Sequence, residues 1–272
     1  MSQQDPPARF TEQVVESFAG AGDARLAEIM SAAVRHLHQF ASEVGLTREE
    51  WMAGIRFLTE VGARCDDVRQ EFILLSDTLG VSMLLEFVNA VAAPGASEPT
   101  VLGPFYVPGA PACRNGDSIV FDPETGGQPL VMHGTVTDLQ GRPLPDATVE
   151  VWQVQPNGRY DIEEDTARRN LRGTLVTGPD GAYRFSTVRP VDYTIPHDGP
   201  VGVMLDASGR HPWRPAHIHF KISAGGFQPL VPHLFDRSSP WLSSDAVFGV
   251  RPTLVADMSG PECRYDFVLD TI

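Results

Sequence analysis

The chain has 272 residues, 42% of them hydrophobic and 21% charged, enough apolar material for one large core or two modest ones. Its formal net charge of −14 argues against nucleic acid or an anionic membrane as a partner, because both repel such a surface. No basic stretch followed by an apolar run opens the sequence and no later run is long enough to span a bilayer, so a cytoplasmic protein is expected.

Up to about residue 92 the pattern is helical. Leu26, Ile29, Met30, Ala33, Leu37 and Phe40 recur at three- and four-residue steps and form one apolar stripe. Thr47 and Glu50 have capping-box spacing and open a second helix carrying Trp51, Ile55 and Leu58. A further helix over 67–92 is apolar on more than one side, which calls for a second surface from the other half of the chain or from another subunit. The run APGASEPT at 93–100 is the expected linker. Beyond it, short alternating segments divided by Gly, Pro and Asp predict an antiparallel β-sandwich. The expected class is therefore α+β, with a helical segment over 1–95 and a sandwich over 96–272. The three cysteines, Cys65, Cys113 and Cys263, are odd in number and widely spaced, and are read as buried small side chains.

Residues 214–220, RPAHIHF, carry the chemistry. Alternate strand residues share a face, so His217 and His219 point the same way with Cα atoms about 6.6 Å apart. They can converge on one metal ion, although a pair of solvated or core histidines explains a bare H-x-H equally well. The next acidic residue is Asp236, which weakens a two-histidine, one-carboxylate site without excluding a distant acid. Tyrosine is the remaining donor type, and the chain has five. Tyr160 and Tyr193 lie at strand ends, where function collects, whereas Tyr183 follows a turn and reads as a packed strand residue. Tyr106 and Tyr265 have no feature favouring ligation. A phenolate is a hard anionic donor that is protonated near neutrality, so a metal binding two of them must be a strong Lewis acid, and Fe(III) fits.

The segments EPTVLGPFYVPGAP, HGTVTDLQGRPLPDATVEVWQVQPNGRYD, YTIPHDGPVG, RHPWRPAHIHF and SDAVFGV together resemble the intradiol ring-cleavage dioxygenases, the catechol and hydroxyquinol 1,2-dioxygenases. The likeness spans nearly the whole chain. It implies one non-haem Fe(III) per subunit held by Tyr160, Tyr193, His217 and His219, with Tyr193 exchanging for a chelating diol. It also implies a homodimer formed through the helical half, with an amphipathic lipid at that interface. His233 stands about where catechol-cleaving relatives carry an amide, and its role is left open. Arg214 is the natural partner for charge developing on the substrate, against the rival of a surface ion pair.

The same resemblance assigns the substrate ring to Leu74, Asp77, Val101, Leu102, Gly103, Pro104, Phe105, Ile195, Pro196 and Val247. Most are apolar and suit packing. Asp77 in LLSD is the exception: it either caps a helix starting at Thr78 or accepts a hydrogen bond from the third hydroxyl of 1,2,4-trihydroxybenzene. The expected reaction is cleavage of hydroxyquinol to maleylacetate, with catechol cleavage to cis,cis-muconate as the alternative. A metal-free transthyretin-like binding module is the rival of another class, since the strand and turn motifs alone encode only a sandwich. A ferrous extradiol oxygenase is the other rival.

Overall fold

A computed structural model describes residues 6–66, 69–89, 93–164 and 169–272. The chain divides into two compact units, Met1–Glu60 and Val61–Ile272, upstream of the change in sequence pattern near residue 95.

The first unit is helical, with α1 (Pro6–Glu16), α2 (Ala24–Glu43) and the start of α3 (Arg48–Ala63). Asp23 caps α2 by accepting from the Arg25 and Leu26 amides. The expected capping box opens α3: the Thr47 amide donates to the Glu50 carboxylate at 2.9 Å and the Glu50 amide to the Thr47 hydroxyl at 3.2 Å. The stripe on α2 has the expected period, yet α2 buries none of its residues.

In the second unit, two helices stand in the 67–92 stretch where one was expected, α4 (Glu71–Thr78) and α5 (Val81–Asn89). They break at Gly80, whose φ of +74° belongs to the left-handed region that ends helices. Residues 67–68 and 90–92, which the expected helix included, lie outside the described residues.

Strands β1 (Pro129–Asp138), β2 (Thr148–Gln153), β3 (Arg172–Val176), β4 (Ala182–Val188) and β5 (Tyr193–Thr194) precede helix α6 (Pro200–Ala207). Then come β6 (Trp213–Arg214), β7 (His217–Ser223), β8 (His233–Asp236), β9 (Val255–Ala256), β10 (Glu262–Arg264) and β11 (Phe267–Leu269). One sheet runs β3-β2-β7-β8-β9, β1 pairs with β4, β10 and β11, and β5 pairs with β6. The sheets are mixed, a correction to the expected antiparallel arrangement: β1–β10, β1–β11 and β8–β9 are parallel. Parallel neighbours need a long crossover, and the one from β8 to β9 carries residues 237–254 back past the end of the sheet. Ile218, Phe220 and Ile222 of β7 face a core shared with Val149 and Val151 of β2 and Met132 and Phe185 from the other sheet. Their alternation puts His217 and His219 on the opposite face.

Among the cysteines only Cys263 is buried; Cys65 and Cys113 are half-buried because they sit on peripheral segments rather than core strands. All three are free thiols.

Candidate active site

Register builds the site. His219 lies directly across from Trp152 on β2 and from His233 on β8, while Tyr193 lies directly across from Arg214. Trp152 stacks on the His219 ring at 4.7 Å. The turn after β2 returns through Gly158, at φ +83°, and delivers Tyr160. Tyr160 is fixed on both sides: Phe105 stacks on its ring at 4.4 Å, and the next residue, Asp161, forms a buried ion pair with Arg172, which also donates to the Phe105 carbonyl.

Four polar atoms meet. The Tyr160 hydroxyl lies 2.9 Å from His219 Nε2 and 3.3 Å from the Tyr193 hydroxyl, and the Nε2 atoms of His217 and His219 are 3.1 Å apart. All four residues are buried. The other tyrosines are used elsewhere: Tyr183 donates to the Tyr265 carbonyl, Tyr106 to Glu150 and Tyr265 to the Thr253 carbonyl.

His217, His219 and His233 form a cluster of buried imidazoles, with no carboxylate or thiolate joining it among the described residues. Burial holds all three well below the usual histidine pKa, with the Arg214 charge acting in the same direction, so they are neutral. Their hydrogen bonds separate their roles. His217 Nδ1 donates to the Pro215 carbonyl at 2.7 Å, which leaves the Nε2 lone pair facing the cluster. His233 does the reverse: Nε2 donates to the Val101 carbonyl at 2.7 Å, so its Nδ1 lone pair faces Arg214 Nη2 at 3.4 Å. That lone pair is engaged by a cation, leaving two imidazoles and two phenols as donors.

Burial pushes both phenols above the usual tyrosine pKa, Tyr160 furthest, while Arg214 pulls Tyr193 back. Phenols so placed ionise only for a strongly Lewis-acidic cation. Two such phenols, two neutral imidazoles whose Nε2 atoms face the cluster and no thiolate are a donor set that fits ferric iron.

Arg214 is buried, which removes the surface ion-pair reading. It donates to Asp245 through Nε at 3.1 Å and Nη2 at 3.3 Å, and Nη1 lies 3.3 Å from the Tyr193 hydroxyl. Asp245 was not singled out in the sequence, where it reads as an ordinary loop acid within SDAVFGV. Arg210, upstream, donates to the Thr78 and Ala246 carbonyls and is a structural clamp.

A cavity of about 620 Å³ adjoins the cluster, and Leu74, Pro104, Phe105, Tyr193, Ile195 and Pro196 are among its walls. Tyr193 lines it and Tyr160 does not. Several expected ring contacts lie apart from those walls: Val101 and Val247 are buried, Leu102 is exposed, and Gly103 backs the His219 ring, where a Cβ would sit 3.2 Å from Cε1. Asp77 is also off the walls. It is buried in the last turn of α4, four residues before α5 begins at Val81, so it is not the expected N-cap. Burial raises its carboxyl pKa, against the pull of Ser82 and Arg214.

Arg69 at the cavity wall and its buried partner Glu71 behind it were not foreseen. Arg69 donates to Glu71 at 2.8 Å and to Asp198 at 2.6 Å, and fully buried Glu71 also accepts from the Val201 amide at the start of α6. Glu71 thus joins the helix carrying Leu74 to the loop carrying Ile195 and Pro196.

No helix among the described residues is long and apolar enough to cross a membrane. The dioxygenase family model matches residues 101–271, and the model of the catechol dioxygenase N terminus matches residues 23–97. The chain is 49% identical to the 6-chlorohydroxyquinol 1,2-dioxygenase of Cupriavidus pinatubonensis, over 91% of this chain and 90% of that protein. It is 47% identical to the hydroxyquinol 1,2-dioxygenase of a Rhizobium species, over 93% and 86%. Among solved structures, the hydroxyquinol 1,2-dioxygenase of Pseudomonas putida DLL-E4 superposes with a TM-score of 0.91 at 45% identity, covering 98% of this chain and 99% of that one. With models matched in both parts and relatives at these identities along nearly its full length, the chain belongs to the intradiol ring-cleavage dioxygenase family.

Proposed function

We propose that this protein cleaves hydroxyquinol with O2 between its vicinal hydroxyls to give maleylacetate, using one Fe(III) per subunit held by Tyr160, Tyr193, His217 and His219. The observation that carries the reading is the meeting of two phenols and two neutral imidazoles beside a cavity whose walls combine Leu74, Phe105, Ile195 and Pro196 with polar groups such as Arg69 and Asp192. When bound, ferric iron would supply the Lewis acidity that lets a diol bind as its dianion, the form electron-rich enough at a ring carbon to react with O2.

The chain's own groups do the rest. Tyr193 is the phenol on the cavity wall, so its oxygen is the one placed to take a proton from an entering diol, while Tyr160 stays behind it. Arg214 Nη1, beside that oxygen, stabilises the negative charge the substrate develops. Leu74, Phe105, Ile195 and Pro196 pack against the ring and keep water from it. Asp77, buried behind the cavity walls beside Ser82, is assigned the preference for a third hydroxyl, since its carboxylate would gain a further partner from hydroxyquinol that catechol does not offer.

The proposed assembly is a homodimer through the helical segments, with an amphipathic lipid between them. Supporting it, Leu26, Leu37 and Phe40 of α2 and Leu84, Phe87 and Val88 of α5 are exposed in the single chain. The division at 95/96 is kept as a proposed functional one; the first matched region runs past it to residue 97 and the second begins at 101.

Incubating the iron-loaded protein with hydroxyquinol and with catechol under O2 tests the reading. Maleylacetate as the faster product supports it. A preference for cis,cis-muconate from catechol overturns the substrate assignment, and a semialdehyde from cleavage beside the diol overturns the intradiol one.

A further inference from the structure

Arg214 could not be aimed by its own strand alone, because β6 is two residues long and the guanidinium stands on a flexible stem. Its direction comes from the crossover between β8 and β9. There Asp245, itself buried, takes Nε on one carboxylate oxygen and Nη2 on the other, the two-pronged arrangement that fixes a guanidinium in its plane.

The same carboxylate also anchors its loop. It accepts from the Val247 amide at 3.3 Å and from the Gly249 amide at 2.9 Å, across Phe248, which is held at φ +58°. Gly249 leaves room for this: a Cβ there would stand 3.1 Å from Arg214 Nη2 and 3.2 Å from the Asp245 carboxylate. With Nε and Nη2 engaged by Asp245 and Nη2 also facing His233, the guanidinium is left with Nη1 pointing at Tyr193 and His217.

We infer that Asp245 is a positioning residue for the reaction, acting through Arg214 by fixing the guanidinium plane so that Nη1 faces the Tyr193 oxygen. The inference rests on the role proposed above for Arg214. Both carboxylate oxygens of Asp245 are taken up by Arg214 and by the Val247 and Gly249 amides, so its influence on the substrate runs through the arginine. Its loss should therefore slow turnover more than it weakens binding.

The test compares iron-loaded wild type, Asp245→Asn, Arg214→Gln and the double variant on hydroxyquinol, with a crystal structure of metal-free Asp245→Asn. Asp245→Asn is expected to lower kcat by on the order of a hundredfold with KM changed less than about threefold. Its metal-free structure is expected to show Arg214 turned away from Tyr193. In the Arg214→Gln background the same substitution is expected to change kcat by less than about threefold, since nothing remains to be positioned. If Asp245→Asn proves too unstable to purify, the comparison of Arg214→Gln with the double variant still decides, because that pair leaves no buried cation unpaired.

Normal kcat in Asp245→Asn overturns the inference, as does a further tenfold loss in the double variant or an unmoved Arg214 in the crystal. Absence of turnover by wild type overturns the proposed function and the inference with it, whereas wild-type turnover beside an unaffected Asp245→Asn overturns the inference alone.

Discussion

Tyr193 and Arg214 are direct partners across the short β5–β6 pairing, and this register holds a permanent cation 3.3 Å from a phenol oxygen at the cavity wall. The cation favours that oxygen as an anion through a direct contact, while burial raises both phenols, Tyr160 well above the usual tyrosine value. The two phenols are thus unequal before any ligand arrives. The one nearer the cavity is the easier to ionise.

Arg214→Lys should retain iron and fold but lose about a hundredfold in kcat, because an ammonium cannot satisfy Asp245 in two places and still face Tyr193. Steady-state kinetics on hydroxyquinol check this. Unchanged kcat would leave Arg214 a purely structural role.

The donor set makes an optical prediction. Phenolate-to-Fe(III) charge transfer should colour the loaded protein red, and dithionite or iron removal should bleach it and abolish turnover. Tyr160→Phe should lose much of the colour and activity, and His217→Ala or His219→Ala should reduce iron content measured by elemental analysis. His233→Gln should keep the iron, since the His233 lone pair faces Arg214. A colourless zinc form with full activity contradicts the assignment.

Asp77 should govern the choice of diol. A hydrogen bond to a charged group contributes about 1.5–3 kcal/mol, so Asp77→Ala should cut the hydroxyquinol-over-catechol ratio of kcat/KM by about ten- to a hundredfold. An unchanged ratio would mean that the carboxylate never meets the substrate.

The same residue should show in stability. Burial raises the Asp77 carboxyl pKa in the folded chain, so between its unfolded and folded values the native state binds more protons than the unfolded one. Stability from this group is therefore greatest below the unfolded value and falls as pH rises through the folded value. Asp77→Asn should melt higher than wild type at pH 7.5, with the difference shrinking toward pH 4. Thermal melts of the metal-free proteins across that range measure it, and a constant difference would refute the buried-charge explanation.

Glu71 should matter more for the cavity than its distance from the donor cluster suggests. Removing one partner of a buried, hydrogen-bonded charge costs about 3–5 kcal/mol, so Glu71→Ala should lower stability by roughly that amount in urea titrations. Gly199→Ala should raise KM by crowding the same contact, since a Cβ there would lie 2.6 Å from the Glu71 carboxylate.

Periodicity of two in RPAHIHF put His217 and His219 on one face, and the Thr47–Glu50 spacing marked a helix start, because both depend only on local geometry. Turn residues likewise marked the loop after β2 that carries Tyr160, which lies beyond the end of that strand at Gln153 and not on it as expected, and the start of β5 at Tyr193. The break at Gly80 had a local signal in the glycine itself, whereas the parallel pairings and the tautomer of His233 depend on which segments return from far along the chain, and no local pattern encodes that. Asp245 and Glu71 show why most clearly. In sequence each is one acid among 35 aspartates and glutamates, with no local feature that sets it apart. Only the β8–β9 crossover buries the first against Arg214, and only the approach of α4 to α6 buries the second, so the energetic weight of each carboxylate was set by tertiary contacts that desolvate it.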